Sequence, residues 1–304
     1  MRAVDQELAK VEDLLGDVRS LPTLPELVAK LNQLLSDPEA KIQDIAELIL
    51  KDQVLTAHVI RLANSSFFAK HREITNLREA IVFLGFRALR NLVLTTTLIG
   101  TFRWKNKDIN PRRFWEHSFA VGVVSSDIAT NLGYDDVDNA YLAGLVHDLG
   151  IVLISQYLPD AMDRILAFLE AEKTSLRFAE QRVLGLDHTA FGGWLARKWH
   201  FSQELQDVVL WHHDPTPESA DPELTSIVSL ADMFCRSINL GYGVPEYWST
   251  VVQVHPSWRI LQSHRHQMQS IDWERFLFDL GSRAEEVRQL VKSVFEMDRT
   301  GTFA

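Results

Sequence analysis

The sequence predicts an all-α protein, because apolar residues recur three or four positions apart along nearly the whole chain, as at Ile45, Leu48 and Ile49. Helix-start signatures recur as well. TLPE at 23–26 and SDPE at 36–39 each place Thr or Ser three residues before Glu, with Pro in the first turn. The sequence contains no convincing alternation of apolar and polar residues of the kind that is typical of a half-buried strand.

The expected helices follow one another with short polar turns between them. Asn110-Pro111 repeats the cap-then-proline pattern and starts the helix RRFWEHSFAVGVV. We expect 241–272 to be irregular. The expected helices cover 53–63, 77–84, 86–102, 111–132, 138–157, 160–171, 174–185, 188–199, 203–213, 223–240 and 282–297.

A polar break, RWKNKDIN at 103–110, divides the chain. We expect an N-terminal helical subdomain over 1–105 and a second helical subdomain over 106–240, which contains the histidines that lie in suggestive positions. The remainder, 241–304, combines the irregular segment with a charged C-terminal helix.

Composition limits the possible partners and location. The 304 residues are 46% hydrophobic and carry a formal net charge of -10, so a broad nucleic-acid or anionic-membrane surface is not expected, although a local basic cleft remains possible. The N-terminus, MRAVDQELAKVEDLLGDV, lacks the apolar core of a signal peptide. No run reaches the ~18 apolar residues that span a bilayer. A single cysteine, Cys235, allows no internal disulfide, so we expect a cytoplasmic protein.

Histidine and aspartate side chains lie on the apolar faces of five expected helices. His117 continues the helical stripe of Phe114, Val121, Val124 and Ile128, so it points toward a core. The further candidates, each placed on an apolar face or beside one, are His147, Asp148, His188, His212, His213 and Asp232.

Each candidate alone has a structural explanation. A lone buried His is more often a hydrogen-bonded core residue than a ligand, Asp232 could be a cap or an ion-pair partner, and His213 could end a helix before Pro215. Together they favour a metal site, because a buried carboxylate costs several kcal/mol unless it is paired or binds a cation. One or two divalent ions fit this set of nitrogen and oxygen ligands, with Fe, Mn, Ni and Zn all suitable.

The remaining histidines are expected to be structural or exposed, and Cys235 is expected to be a small core residue. These histidines are His58, His71, His200, His255, His264 and His266.

Several motifs, in order, resemble the HD superfamily of metal-dependent phosphohydrolases: EHS at 116–118, AGLVHDLG at 143–150, LDHTAFGGWLARKW at 186–199, WHHD at 211–214 and SLADMF at 229–234. LPTLPELVAKLNQLL, KDQVLTAHVIRLANSSFF and ITNLREAIVFLGFRALRNLVL resemble the HDOD ("HD-related output domain") family of bacterial signalling proteins. The resemblance covers roughly 20–240 and implies a multi-helix HD-superfamily bundle.

The resemblance implies roles by position. His117, His147, Asp148 and Asp232 match the H…HD…D ligand set of the superfamily. His188, His212 and His213 match the histidines with which the HD-GYP branch holds a second metal. Two features depart from HD-GYP: Ile151 stands where HDxGK has lysine, and PTPESADPE follows WHHD where the GYP loop is expected.

Two functions follow from this resemblance. The first is a signal-transduction output module that acts on a signalling partner and carries a buried His/Asp metal site. The alternative is a phosphodiesterase-like, metal-dependent phosphohydrolase of a nucleotide or cyclic dinucleotide. His147 and Asp148 would then be catalytic, with Asp148 bridging two ions whose charge activates a water. Phosphate binding would need cations, for which Arg113, Arg197 and Lys198 are the nearest in sequence, although a surface helix face explains these residues equally well.

Overall fold

The computed structural model describes residues 2–16, 30, 42–51, 56, 59–60, 63–64, 74–102, 109–241, 247 and 252–298. Every regular element within these ranges is a helix, which confirms the all-α prediction. The chain forms two compact units: residues 1–21 with 103–280, and residues 22–102 with 281–304. The subdomain boundaries at 105 and 240 stay a prediction about which parts of the chain fold independently.

The α-helices in chain order are α1 (Arg2–Leu15), α2 (Ile42–Leu50), α3 (Leu77–Thr101), α4 (Pro111–Leu132), α5 (Val137–Val146), α6 (Leu149–Tyr157), α7 (Pro159–Glu172), α8 (Leu176–Leu184), α9 (His188–Lys198), α10 (Gln203–Trp211), α11 (Pro222–Ser237), α12 (Pro256–His264) and α13 (Trp273–Asp298). Short 3₁₀ helices cover Val252–Val254 and His266–Gln269.

The smaller unit packs α2 against α3 around a buried apolar cluster that includes Ile49, Val59, Ile81 and Leu89. Gly85 interrupts α3 with φ 73° and ψ 170°, a conformation that glycine adopts without the steric cost of a Cβ. The break confirms the expected division into 77–84 and 86–102. The capping motifs at 23–26 and 36–39, and most of the expected helix 53–63, lie outside the described residues.

The larger unit is built around α4, which packs against α5 and α11. The start of α4 follows the expected pattern. The side chain of Asn110 caps the helix by accepting hydrogen bonds from the backbone N–H groups of Arg112 and Arg113, and Pro111 occupies the first turn. The apolar stripe predicted from Phe114 to Ile128 is buried along its length. This helix therefore presents His117 to the core, as its spacing predicts.

The expected single helix 138–157 is wrong. The structure has two helices there, α5 and α6, separated by a turn at His147 and Asp148. The stretch Val137–Tyr157 is long and apolar enough to cross a membrane, but 83% of its most apolar 18 residues are buried within the fold. It is therefore built as a core element, and the turn places an imidazole and a carboxylate inside that core.

Close backbone contact brings α6 and α9 together. A Cβ on Gly150 would lie 1.8 Å from the backbone oxygen of His188, and a Cβ on Gly192 would lie 3.2 Å from the backbone nitrogen of Gly150. Only glycine fits so close an approach. The two glycines therefore allow the start of α9, which carries His188, to reach the Asp148 turn.

The N-terminal helix docks on the same unit. Leu8, Val11 and Leu15 of α1 are buried, and α1 packs against α9. Two ion pairs at 2.9 Å border this contact, Arg197 with Asp5 and Lys198 with Glu12. Arg197 and Lys198 therefore hold α1 against α9.

Part of the segment expected to be irregular is helical. Within 241–272 the structure has α12, which packs against α11, and the two 3₁₀ helices. The terminal helix also begins at Trp273, nine residues before the expected start at 282. Aromatic contacts of Trp273 with Phe234 and Trp258 explain both differences, because these two side chains lie far from Trp273 in sequence and pack against it only in the folded chain.

Substituting Gly150 with Ala tests the close approach. We expect the Gly150→Ala variant to lose about 1–3 kcal/mol of unfolding free energy, because the new methyl group forces α9 away from α6. Chemical denaturation measures the loss. Gly281→Ala is the matched control, since its Cβ would meet nothing within 4 Å. Equal stability of both variants would show that α9 does not depend on this contact.

Candidate metal centre

The turn between α5 and α6 supplies the centre of the site. His147 and Asp148 are both 0% exposed. Asp148 stands at the position that caps α6, yet its side chain makes no capping hydrogen bond. Its carboxylate instead faces the imidazoles of four histidines. The turn therefore gives the core one carboxylate with ligand atoms on both sides.

One side of the Asp148 carboxylate forms an inner half-site with His117 and His147. The Asp148 Oδ2 atom lies 2.8 Å from His147 Nε2 and 3.6 Å from His117 Nε2. One ligand atom from each of the three residues falls within 4.8 Å of the others. This is the size of a site that one metal ion could occupy.

The other side forms an outer half-site with His188, His212 and His213. The Asp148 Oδ1 atom lies 3.3 Å from Nε2 of both His188 and His212. Nε2 of His213 lies 3.0 Å from Nε2 of His188. Ligand atoms from these four residues also fall within 4.8 Å of one another. Asp148 thus belongs to two adjacent groups, each able to hold a metal ion.

Backbone carbonyls orient three of the rings. Nδ1 of His117 donates to the Leu240 carbonyl and Nδ1 of His147 donates to the Gly144 carbonyl, both at 2.6 Å. Nδ1 of His212 lies 3.2 Å from the carbonyl oxygens of Val208 and Val209. Because a carbonyl only accepts, Nδ1 carries the hydrogen in each ring. In the neutral form of each ring, Nε2 is therefore the lone-pair donor, and it points into the cluster.

Glu180 orients the fourth ring, and sequence reasoning missed it. Its Oε2 atom accepts from both the backbone N–H and Nδ1 of His188, at 2.9 and 2.6 Å. Glu180 is fully buried on α8, eight residues before its partner. The only sequence signal is an acidic residue on the buried face of a short helix, beside the buried Ala179. Carboxylate–histidine pairs of this kind strengthen metal ligands.

Several buried ring nitrogens of the cluster lack a well-aligned hydrogen bond among the described residues. Nε2 of His147 and Nε2 of His212 are buried and aim into the cluster, although each lies near Asp148. Buried polar atoms of this kind are uncommon unless something binds them. The donor set of imidazole nitrogens and carboxylate oxygens suits a divalent transition-metal ion, so the residues present fit a metal.

The titration of the cluster is dominated by its carboxylates. Burial alone would lower the pKa of His117, but hydrogen bonds to Asp148 and Asp232 outweigh it and raise that pKa to about 9. The pKa of His188 is likewise raised to about 9, because Glu180 outweighs burial. Burial and the neighbouring imidazoles lower the pKa of His213. Burial opposes ionisation of Asp148, yet His147 and His117 hold its pKa well below the usual range.

Asp232, expected as a ligand, stands at the edge of the inner half-site. Its Oδ1 atom lies 3.1 Å from His117 Nε2 and 3.9 Å from His147 Nε2. The same atom accepts a hydrogen bond from Arg236 Nε at 2.7 Å. Asp232 is therefore shared between an arginine and the imidazoles, unlike Asp148, which faces histidines on both sides.

A cleft of about 350 Å³ opens beside the outer half-site. Its walls include His188, His212, His213, Asp232 and Arg236, whereas the inner ligands His117, His147 and Asp148 are not among the lining residues. Arg177 also borders this cleft and bonds to Asp187 and Asp214.

The three cations nearest in sequence do not line the cleft, which agrees with the alternative that they belong to surface helix faces. Arg113 pairs with Glu116, while Arg197 and Lys198 hold α1. Helical spacing indicates which face of a helix a residue lies on, but not which neighbouring helix covers that face. Arg177 and Arg236, which line the cleft, were therefore not found from the sequence.

His255, expected to be structural or exposed, is half-buried and borders the cleft. It caps α12 through the N–H of Ser257 and hydrogen-bonds the backbone of His213. His58 and His71 lie outside the described residues. Cys235 is buried, as expected.

The family model of the HDOD domain matches residues 21–215 of this chain. In the crystal structure of an HDOD domain protein of unknown function from Geobacter sulfurreducens, 99% of the chain aligns with 96% of this one, at 29% identity and a TM-score of 0.83. An uncharacterised protein of Treponema pallidum is 25% identical over 236 residues. That alignment spans 76% of this chain and only 44% of the relative.

More distant structures share the fold. A candidate phosphohydrolase from Shewanella amazonensis is 22% identical with a TM-score of 0.71, and 97% of it aligns with 95% of this chain. A candidate signal transduction protein from Marinobacter aquaeolei is 18% identical with a TM-score of 0.76, and 66% of it aligns with 97% of this chain.

Protonation of the cluster makes stability depend on pH when metal is absent. A His whose folded pKa is raised from 6.5 to about 9 stabilises the fold fully below pH 6.5 and loses that effect as the pH rises through 9. We therefore expect metal-free protein to lose on the order of 2 kcal/mol of unfolding free energy between these limits. Chemical denaturation with chelator present measures this. Constant or rising stability across this interval would contradict the assigned protonation.

The Glu180–His188 pair is tested by Glu180→Gln. We expect metal affinity at the outer half-site to fall about 10–100-fold, because a neutral amide polarises the imidazole less than a carboxylate does. Competition with a coloured chelator measures the affinity. Glu172→Gln, at an exposed position of α7, is the control and keeps the original affinity. An unchanged affinity in Glu180→Gln would show that Glu180 only packs the core.

Proposed function

The chain belongs to the HDOD domain family, and on that premise we propose that it is a bacterial signal-transduction output module whose buried His/Asp cluster binds one or two divalent metal ions. One observation carries the metal proposal: imidazoles from separate helices converge on both oxygens of Asp148. The Nδ1 atoms of His147 and His188 are hydrogen-bonded to groups outside the cluster, so their Nε2 atoms face its centre. Fe, Mn, Ni and Zn all suit these ligands.

In this proposal each residue has a defined task. His117, His147 and Asp148 hold the inner ion, with Asp232 beside them, and Asp148 with His188, His212 and His213 holds the outer ion. Bound divalent ions would supply positive charge that polarises a phosphate group and lowers the pKa of a water. The backbone carbonyls and Glu180 keep the rings oriented, and Arg236 holds the carboxylate of Asp232.

Three features favour signalling over hydrolysis. Ile151 is fully buried, so the position that carries lysine in HDxGK supplies no charge to a substrate. The stretch after WHHD contains no GYP sequence. The two cleft arginines are both engaged by carboxylates, Arg177 by Asp187 and Asp214, and Arg236 by Asp232.

A metal-dependent phosphohydrolase acting on a nucleotide or cyclic dinucleotide is the second candidate. The cleft favours it, because three outer ligands line a space of about 350 Å³ beside two arginines, which a phosphorylated small molecule could enter. His147 and Asp148 would be the catalytic pair, acting through the ions that they hold.

The partners follow from the same reasoning. We propose a signalling protein or a small phosphorylated ligand as the partner, and a cytoplasmic location. The net charge of -10 supports the absence of a broad nucleic-acid or membrane surface. The single cysteine is buried, which agrees with a reducing compartment.

Metal content tests the proposed function. We expect purified protein, prepared without chelator, to carry one to two transition-metal ions per chain by elemental analysis. A His147→Ala, Asp148→Ala double variant should lose them, because Asp148 belongs to both half-sites. A variant that retains its fold by circular dichroism and carries as much metal as the original protein would contradict the proposal.

The two candidate functions separate in a second assay. Metal-loaded protein that leaves cyclic dinucleotides, nucleotides and bis-p-nitrophenyl phosphate intact supports the signalling module. Cleavage that is lost in the double variant would instead establish the hydrolase. His266→Ala is the control, because His266 is exposed and does not line the cleft.

A further inference from the structure

We propose that the two half-sites retain their ions differently: the inner ion is held permanently, and the outer ion exchanges with solvent. The outer half-site would then respond to the free concentration of divalent cations and give the module a cation-dependent input. This inference rests on the proposed metal binding and adds the regulation of that site.

The inner half-site is enclosed. His117, His147 and Asp148 each have no exposed surface, and none of them lines the cleft. Of the residues described next to this half-site, Asp232 borders the cleft, and Arg236 bonds its Oδ1 atom there. Within the described part of the chain, an ion held by His117 and His147 therefore leaves through the outer position, past the Asp232–Arg236 pair, or by opening of the helices around it.

The outer half-site faces the cleft directly. His188, His212 and His213 all line it, and His213 is half-buried rather than enclosed. Water can therefore reach an ion at this position without any movement of the core. Because small openings cost far less free energy than disruption of packed helices, exchange here should be much faster than at the inner position.

The outer ligands come from helices that pack against each other, and a bound ion would add a further link between them. His188 begins α9 and is tied by Glu180 to α8, while His212 and His213 follow α10. In the structure, Nε2 of His188 and Nε2 of His213 lie 3.0 Å apart, and a positive ion between such nitrogens would link the two walls of the cleft. Occupancy therefore changes how firmly the cleft walls are held together, and a ligand that favours one state shifts the population.

The shared carboxylate couples the two positions. Asp148 offers Oδ2 to the inner half-site and Oδ1 to the outer one, so an ion at either position neutralises part of its charge and weakens binding at the other. The inner half-site also has the carboxylate of Asp232 beside it, 3.1 Å from His117 Nε2. We therefore expect the inner position to fill first and the outer one to follow at higher cation concentration.

Metal release measures the difference. Full-length protein is loaded with two equivalents of Co²⁺, and release into excess EDTA is followed by visible absorption. We expect two phases of equal amplitude, with the slow phase about a hundredfold slower or more, because inner release requires local opening. Two bound ions released in a single phase would overturn this inference and leave metal binding intact. Failure to bind Co²⁺ at all would instead overturn the proposed function.

Substitutions assign the phases. His213→Ala should remove the fast phase and keep the slow phase, while His266→Ala, at an exposed position outside the cleft, should keep both. Loss of the slow phase in a folded His213→Ala protein, or a fast phase that survives in it, would contradict the assignment of the outer ion.

Amide hydrogen exchange tests the order of filling without relying on the visible absorption of Co²⁺. Addition of the second Co²⁺ equivalent should raise amide protection in 176–189 and 211–214, which carry the outer ligands and Glu180, and leave 140–147 unchanged. Equal protection of all three segments after the first equivalent would overturn the proposed order of filling.

Discussion

A single buried carboxylate organises the larger unit. Asp148 is fully enclosed and faces imidazole nitrogens on both sides, at distances from 2.8 to 3.6 Å. An ionised carboxylate in a packed core is costly unless positive charge or hydrogen bonds compensate it. The surrounding histidines provide part of this compensation, and metal ions would provide more. The helices that carry these histidines must therefore converge on one turn.

The helices pack closely enough to bring the histidines to the Asp148 turn. Asp148 leaves helical geometry at the turn between α5 and α6, with φ -106° and ψ 17°, and its carboxylate lies against the imidazole of the preceding residue, His147. Gly150 and Gly192 then let α9 approach α6 closely enough for His188 to reach Asp148. Carbonyls and Glu180 fix the rings from outside. The most distant part of this arrangement in sequence is Leu240, whose carbonyl orients His117 across 123 residues.

The proposed functions differ in what happens at the cleft rather than in the cluster. A signalling module needs a site whose occupancy changes the surrounding structure, and a hydrolase needs a site that holds and activates a phosphate ester. The outer half-site is open enough for either, since it lines a cleft with Arg177 and Arg236. The buried Ile151 and the engaged arginines weigh against chemistry of the HD-GYP type.

The sequence by itself determined the all-α fold, the start of α4 at Asn110-Pro111 and the burial of six of the seven candidate ligands, because helical spacing and capping are local properties. The seventh, His213, is half-buried. The prediction of a single helix over 138–157 was wrong, because a continuous apolar run contains no local signal for the turn at His147 and Asp148. Only the tertiary structure decided that Asp148 joins two groups, that Glu180 supports His188, and that Arg177 and Arg236, not Arg197 and Lys198, border the cleft. These features depend on contacts between helices far apart in the chain, which spacing along one helix does not encode.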